Sequence, residues 1–188
     1  MPRPSQRERF LDAAADLVHA DGVTELTYDR LVEVTGASKG GLLYHFPSKY
    51  DLVAALLEHT FDRFEAAVDA RAADDTRPFA WAHAYVDASL DARVSRPELL
   101  TASLLDPDEG HELVRQCGAR VASWQTRMVD DGVPKGLATA VRYACDGWWA
   151  LSAMEMGPVS IDAATLAAEL HDQLDQAVAV TTAAQGRS

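Results

Sequence analysis

The sequence feature that most constrains the fold is the stretch from Thr27 to Asp51, which contains two short helix signals on either side of a glycine. The hydroxyl of Thr27 suits an N-cap, and Gly36 favours the left-handed backbone conformation that ends a helix sharply. Ser38 can cap a second short helix, which ends at Phe46 because the residue before a proline is pushed out of the helical region. This is the sequence form of a helix-turn-helix, whose second helix lies in the DNA major groove.

The rest of the chain is also predicted to be helical. Residues 7–21 form an amphipathic helix that stops at Gly22, and Ser48 with Asp51 forms a capping-box-like pair that begins a long helix. Beyond Arg71, glycine and proline residues separate further segments that carry apolar residues at helical spacing. No run of residues alternates with a period of two, so we predict an all-α fold of about nine helices.

The central stretch resembles the N-terminal DNA-binding domain of the TetR/AcrR transcriptional regulators. A bare helix-turn-helix pattern is a weak signal, whereas Gly-x-Ser-Lys-Gly, a His-Phe helix end and a Ser-Lys helix start are much more specific together. The match is close over about the first quarter of the chain, and the remainder matches only in length and helical character. The residues that carry the resemblance are Gly36, Ala37, Ser38, Lys39, Gly40, Leu42, His45, Phe46, Ser48, Lys49 and Leu52.

The resemblance implies two functional parts. Residues 1–50 are expected to form a three-helix DNA-binding domain and residues 51–188 a helical ligand-binding and dimerisation domain, linked by the helix from Ser48. The chain is accordingly predicted to be a cytoplasmic bacterial regulator that binds double-stranded operator DNA as a homodimer. The family default is a repressor that a small, largely apolar or aromatic molecule releases from its operator.

Nine residues are predicted to contact DNA. Lys39 and Lys49 suit phosphates, because a flexible ammonium neutralises charge without strict geometry. Gly40 and Gly41 leave the surface of the recognition helix bare, so that base edges can be approached closely. The predicted set is Thr27, Ser38, Lys39, Gly40, Gly41, Leu43, Tyr44, His45 and Lys49.

Two positions depart from the family pattern. Gly41 stands where a Thr, Ser or Ala is common, and Leu43 stands where a Tyr is common, with the aromatic residue one position later at Tyr44. Two alternatives follow: Tyr44 takes over a phosphate contact, or Leu43 touches a thymine methyl group. For Tyr44 and His45, packing at the helix end is a further alternative to DNA contact.

The formal net charge of −12 is unusual for a nucleic-acid binder, but the acidic residues are unevenly distributed. Residues 1–50 hold six Lys or Arg against seven Asp or Glu, whereas residues 51–188 hold eleven against twenty-two. Arg3, Arg7 and Arg9 lie close together at the start of the chain, either as minor-groove contacts or as part of a tail without contact. Local basic patches serve phosphate contact, while the acidic remainder disfavours indiscriminate DNA coating.

The C-terminal part is the candidate sensor. The resemblance implies a ligand pocket among the middle helices and a dimer formed by the last two helices. Aromatic and thioether side chains suit such a pocket, although residues at helical spacing are more often core. The predicted pocket residues are Trp81, Tyr85, Trp124, Met128, Tyr143 and Trp148. The predicted dimer stripe is Leu166, Leu170 and Leu174, which a monomer would have to bury internally.

Two other classes of protein are weighed against the regulator. A small helical enzyme is disfavoured, because the six histidines show no metal-ligand spacing and no nucleophile motif or phosphate loop is present. A protein-interaction module that has lost DNA binding is the second alternative, and Lys39 and Lys49 argue against it. We predict no metal, no cofactor and no membrane span. Cys117 and Cys145 are expected to be reduced thiols, with a redox-sensing pair left open.

Overall fold

A computed structural model describes residues 5–91, 97–153 and 161–185 of the chain. These residues form eight α-helices and two short 3-10 helices, and none of them lies in a β-strand. The all-α prediction is therefore confirmed. The α-helices are α1 (Gln6–Asp21), α2 (Tyr28–Thr35), α3 (Lys39–His45), α4 (Lys49–Ala73), α5 (Ala80–Leu90), α6 (Pro107–Asp130), α7 (Lys135–Ala153) and α8 (Ala163–Gln185).

Two segments differ from the predicted pattern. The segment Pro97–Leu104 forms a 3-10 helix, where the sequence predicted a short α-helix. Such tighter helices are common as short connectors, because they need only a few consecutive bonds. The predicted frayed tail from Thr181 is instead helical as far as Gln185, since its alanines favour continuation of α8. The predicted end of the preceding helix near Ser95 lies outside the described residues.

Hydroxyl side chains start the N-terminal helices. The Ser5 hydroxyl accepts a 3.2 Å hydrogen bond from the Glu8 amide, and the Glu8 carboxylate accepts a 2.6 Å bond from the Ser5 amide. Thr27 caps α2 by accepting a 3.2 Å bond from an amide of its first turn. At α4, Ser48 and Asp51 exchange bonds of 3.1 and 3.0 Å, as the sequence predicted. These reciprocal bonds satisfy amides that a helix start otherwise leaves unpaired.

Gly36 makes the turn between α2 and α3. Its φ of 64° and ψ of 16° place it in the left-handed region, which a residue with a side chain adopts only with strain. Its amide donates a 3.0 Å hydrogen bond to the Val32 carbonyl oxygen, which closes the last turn of α2. The predicted glycine turn is therefore present.

The chain divides into two compact units. The first contains residues 5–63 and 97–118, and the second contains residues 64–91, 119–153 and 161–185. Helices α4 and α6 each contribute residues to both units. The proposed functional boundary after residue 50 stays a prediction. The largest fully buried side chains of the first unit are Phe10, Leu11, Leu26, Leu31, Leu42, Phe46, Leu52, Leu56 and Phe61.

Aromatic side chains form the core of the second unit. The Phe64 ring lies 5.6 Å from the Tyr85 ring and 4.9 Å from the Trp124 ring, measured between centroids. Trp81 extends this cluster, with its ring centroid 5.6 Å from that of Tyr85. Tilted and edge-on contacts of this kind add to the free energy of burying the rings.

The described residues contain no candidate for a membrane span or a metal site. None of their helices combines the length and the apolar character that crossing a lipid bilayer requires. Among the same residues, no three His, Cys, Asp or Glu side chains form a group that could hold a metal ion. Cys117 and Cys145 are buried thiols rather than disulfide partners, and their redox-sensing role stays a prediction.

The seven-residue helix α3 is held in place by its neighbours. Leu42 is fully buried, and Phe46 at the end of the helix packs edge-on against Phe10 of α1, with ring centroids 6.3 Å apart. The Tyr28 hydroxyl of α2 donates a 2.9 Å hydrogen bond to the Phe46 carbonyl oxygen. Burial, with a contribution from the Asp51 charge, raises the pKa of Tyr28, so the hydroxyl keeps the proton that it donates.

We expect Tyr28→Phe to lower the free energy of unfolding by about 1 kcal/mol, because it removes this hydrogen bond and keeps the ring. Urea unfolding at a fixed protein concentration, followed by circular dichroism, measures the change. Tyr44→Phe is the matched control, since Tyr44 is 82% exposed. An equal loss of stability in both variants would contradict an anchoring role for the Tyr28 hydroxyl.

Candidate nucleic-acid interface

Helix α3 has a buried side and an exposed side. Leu42 forms the buried side, while Gly40, Leu43 and Tyr44 are exposed, with Leu43 at 40% and Tyr44 at 82%. These three exposed residues follow the spacing i, i+3 and i+4, so they share one helical face. A helix that presents small, apolar and aromatic side chains together has the means to contact bases at close range.

Lys39, at the start of α3, forms an ion pair with the preceding helix. Its ammonium lies 2.9 Å from the carboxylate of Asp29, which is in the first turn of α2. Both side chains are mostly exposed, so the pair contributes little to folding stability. A phosphate that approaches Lys39 has to compete with Asp29. Sequence reasoning missed Asp29, because nothing in the local pattern brings it to a residue ten positions later.

The hydroxyls of Thr27 and Ser38 act as helix caps. Ser38 accepts a 3.1 Å hydrogen bond from the Gly41 amide at the start of α3. A hydroxyl that accepts one hydrogen bond still has a proton to donate, and both side chains are exposed. Capping and phosphate contact are therefore compatible at these two positions.

His45 is half-buried against other aromatic rings. Its centroid lies 5.8 Å from that of Phe10 and 5.2 Å from that of Tyr44. This packing supports the alternative role that the sequence left open for His45, which is to close the end of α3. Tyr44 contributes an edge to the same contact but directs most of its surface to solvent.

The nine predicted DNA-contact residues all lie in the first unit. The two that are half-buried are Gly41 and His45. The predicted arginines near the first helix are only partly described, because Arg3 lies outside the described residues. The Arg7 guanidinium lies 5.5 Å from the centroid of the Phe46 ring, so it stacks on the residue that anchors α3. The exposed seven are Thr27, Ser38, Lys39, Gly40, Leu43, Tyr44 and Lys49.

The six predicted pocket residues fall into two groups. Tyr143 is 62% exposed and Trp148 is half-buried, both on α7. The other four are buried in the second unit, and three of them belong to its aromatic cluster. This placement favours a role in the hydrophobic core over a role in lining a ligand pocket for the four buried residues, which are Trp81, Tyr85, Trp124 and Met128.

Carboxylates satisfy the indole groups of the aromatic cluster. Glu65 accepts a 2.8 Å hydrogen bond from the Trp124 indole and two 2.9 Å bonds from the Arg120 guanidinium. These bonds, chiefly those from Arg120, lower the pKa of Glu65, so it stays ionised at neutral pH. Asp69 accepts a 3.0 Å bond from the Trp81 indole. A ligand that used either indole N–H would first have to displace a carboxylate.

Tyr85 connects three helices of the second unit. Its hydroxyl donates a 3.3 Å hydrogen bond to Asp146 of α7, which also accepts a 3.2 Å bond from Arg142. Arg142 donates in turn to Gln125 of α6 at 3.2 Å. The Asp146 carboxylate is therefore compensated by groups of its own unit.

The predicted dimer leucines differ in burial. Leu174 is fully buried within its own unit, which is the alternative that the sequence left open for this stripe. Leu166 and Leu170 are only half-buried on α8. Packing within one chain therefore explains why Leu174 is apolar. Leu166 and Leu170 keep accessible apolar surface that a second copy of the chain could bury.

Family models match both parts of the chain. The model described as "Bacterial regulatory proteins, tetR family" matches residues 10–56. The model described as "Tetracyclin repressor-like, C-terminal domain" matches residues 80–184, which is more than half of the 188 residues.

Curated relatives and solved structures carry related descriptions. The HTH-type transcriptional regulator SrpR of Pseudomonas putida is 33% identical over 51 residues, which cover 27% of this chain and 24% of SrpR. Nucleoid occlusion factor SlmA of Haemophilus influenzae is 27% identical over 127 residues, which cover 65% and 56% of the two chains. The chain thus spans between about a quarter and about half the length of these relatives.

The crystal structure of a transcriptional regulator from Rhodococcus sp. Rha1 superposes with a TM-score of 0.69 and 20% sequence identity. The superposition covers 93% of this chain and 96% of that protein. At this level of identity the likeness concerns the fold, and it extends over both units.

The two adjacent glycines of α3 are expected to respond differently to alanine. A Cβ at Gly40 meets no atom within 4 Å, whereas a Cβ at Gly41 would lie 3.2 Å from the Ser38 hydroxyl that caps the helix. Gly40→Ala should raise stability by up to about 1 kcal/mol, because alanine favours the helix. Gly41→Ala should gain less or lose stability. Amide exchange of α3 in the two variants measures this, and equal protection would contradict the difference in packing.

Proposed function

Because this chain belongs to the TetR family of bacterial regulatory proteins, as its sequence pattern had indicated, we propose that it is a DNA-binding transcriptional regulator whose helix α3 reads an operator. The TetR family consists of regulators and not of enzymes. The proposal includes action as a homodimer in the bacterial cytoplasm, where chromosomal DNA is reached. Repression is the default mode of the family and forms part of the proposal.

The observation that carries the proposal is the exposed face of α3. Leu43 and Tyr44 are large apolar or aromatic side chains that are exposed on a helix whose opposite side is fully buried. Together with Gly40 they form one contiguous exposed face, and a binding role accounts for such a face. The flanking ammonium groups of Lys39 and Lys49 suit the phosphates on either side of a groove.

The proposed division of labour follows the predicted boundary. Residues 1–50 would bind DNA, and residues 51–188 would bind the effector and a second copy of the chain. A twofold dimer has to place its two recognition helices in major grooves about 34–36 Å apart or at a related spacing. Helix α4, which begins next to the DNA-binding residues and supplies residues to both units, is the proposed covalent link.

We propose a small, largely apolar or aromatic effector. Support comes from the aromatic side chains of the second unit, including the partly accessible Tyr143 and Trp148. An effector lowers DNA affinity only by the difference between its affinities for the two states of the dimer. The Trp124 indole already donates a hydrogen bond to Glu65, and its ring packs against Phe64. An effector that binds beside this cluster therefore breaks fewer existing contacts than one that inserts into it.

The direct test is binding of the full-length protein to the DNA immediately upstream of its own gene, titrated at two salt concentrations against an unrelated fragment of equal length. We expect specific binding that weakens as salt rises. Lys39→Gln should lower affinity for both fragments and reduce the magnitude of the salt slope by about 1, because it removes one phosphate contact. The matched control is Lys135→Gln, which changes the one lysine of the sequence that lies in the second unit. It should leave the salt slope unchanged.

The outcomes separate the candidate functions. Specific binding that Lys39→Gln weakens supports the regulator. Equal, weak and salt-insensitive binding to both fragments, and to a genomic fragment library, would contradict it. That result would favour the alternative of a helical protein-interaction module that has lost DNA binding.

Asp29→Asn should strengthen DNA binding about two- to fivefold, because it frees the Lys39 ammonium from an exposed ion pair of ordinary strength. Fluorescence anisotropy with a labelled operator measures the gain. The same substitution in a Lys39→Gln background is the control, where the gain should shrink sharply. An undiminished gain there would mean that Asp29 acts by general repulsion of DNA and not through Lys39.

The leucines of α8 are predicted to separate dimerisation from folding. Leu170→Glu should weaken the dimer and leave the subunit folded, since Leu170 is only half-buried. Leu174→Ala should instead lower the free energy of unfolding by about 2–5 kcal/mol, because it opens a cavity at a fully buried site. Sedimentation velocity and thermal unfolding measure the two effects. A dimer unaffected by Leu170→Glu would place the interface elsewhere.

A further inference from the structure

Two histidines from different helices face each other in the second unit. The Nδ1 atoms of His83 in α5 and His171 in α8 lie 2.7 Å apart, and the two ring planes are inclined by 24° with their centroids 4.9 Å apart. The His83 side chain is completely buried, and that of His171 is 20% exposed. A separation of 2.7 Å is a hydrogen-bond distance, so one proton lies between the two nitrogens.

Carboxylates fix where that proton belongs. His171 Nε2 lies 2.8 Å from an oxygen of Asp87, which requires a proton on this nitrogen and leaves His171 Nδ1 as an acceptor. His83 Nδ1 is therefore the donor between the rings. The remaining nitrogen, His83 Nε2, is buried, makes no hydrogen bond and lies 3.4 Å from an oxygen of Asp175. In the neutral pair this nitrogen carries no proton.

The spacing fits a proton and not a metal ion. Zinc–nitrogen bonds are about 2.0–2.1 Å long, so two nitrogens on one tetrahedral ion lie about 3.3 Å apart. The observed 2.7 Å is too short for that arrangement, and both carboxylates sit on the far side of their rings. The two histidines therefore form a hydrogen-bonded pair and not a metal site.

Further charges surround His83. Asp75 and Arg77, in the segment before α5, act on His83 through their charges. The hydrogen bonds from Arg77 lower the pKa of Asp75 to about 2, so both stay charged at any physiological pH. Burial lowers the pKa of His83 from 6.5, and the charges of Arg77 and His171 act in the same direction, against Asp175 and Asp75. The neutral ring is thus the form that the folded unit favours.

We propose that the His83–His171 pair is an acid-sensitive latch that fastens α8 to α5. The first additional proton goes to His83 Nε2 and creates a buried cation beside Asp175. With both rings fully protonated, two N–H groups would face each other across 2.7 Å, which removes the hydrogen bond. Acidification therefore weakens the contact between the two helices. This inference concerns the second unit alone and holds whether or not the chain binds DNA.

The direction of the pH effect on the α5–α8 contact follows from proton linkage. A detached or unfolded His83 titrates near 6.5, whereas the latched residue titrates lower. The stabilisation is complete above 6.5, because both states are neutral there. As the pH falls below 6.5 the open state takes up protons first, so the latch weakens, and the loss levels off below the pKa of the latched residue.

The test is hydrogen exchange of the full-length protein, at one oligomeric state, at about pH 7.5 and about pH 5.5. After correction for intrinsic rates, exchange of α8 should accelerate at the lower pH by up to about tenfold for each unit by which the pKa of His83 is depressed. His83→Gln should abolish this acceleration, and His171→Gln should reduce it. His111→Gln, a change of an exposed histidine of α6 in the first unit, is the matched control and should respond like the wild type.

Since His83 is buried and its variant is at risk of misfolding, imidazole 15N NMR of the wild type provides a second readout. Two observations support the latch: a His171 ring protonated at Nε2 at neutral pH, and a His83 titration below 6.5. A His83 that titrates at or above 6.5, or an α8 whose corrected exchange is the same at both pH values, would overturn it.

Discussion

Everything at the candidate interface depends on the anchoring of α3 by burial of Leu42 and Phe46. A helix of seven residues is too short to be stable in water by itself, and its two glycines cost about 1 kcal/mol each relative to alanine. Its conformation is set instead by packing against Phe10 and by the hydrogen bond from Tyr28. Because the inner side supplies the stability, the outer side is free to carry exposed residues such as Tyr44, which we propose to contact DNA.

The acidic net charge of the protein is compatible with the proposed DNA binding, because charge acts differently at long range and at contact distance. A net charge of −12 repels DNA at long range, but screening at physiological salt limits this repulsion to about 8 Å. At contact distance the relevant charges are those next to α3, where Lys39 is already paired with Asp29. The ion pair lowers the attraction for any polyanion. In the proposed complex with DNA, shape and apolar contact at Leu43 therefore gain weight relative to charge.

The sequence predicted what short-range interactions determine. Caps such as Ser48 with Asp51, and the turn at Gly36, depend on residues within three positions of one another, so the local pattern contains them. The pairing of His83 with His171 joins residues 88 positions apart, and only the packing of helices creates it. The same reason explains Leu174, whose spacing marks an apolar stripe but does not reveal whether the stripe faces its own unit or a second copy.

The second unit combines a fixed part with an adjustable one. Its aromatic cluster is closed by charge-assisted hydrogen bonds, as at Trp124 with Glu65, and the lowered pKa of Glu65 makes those bonds independent of pH near neutrality. The contact between α5 and α8 includes the histidine pair, whose protonation changes with pH. A change in solution conditions therefore acts first on α8, while the core that supports it keeps its geometry. Such an arrangement gives the second unit a movable element without loosening its centre.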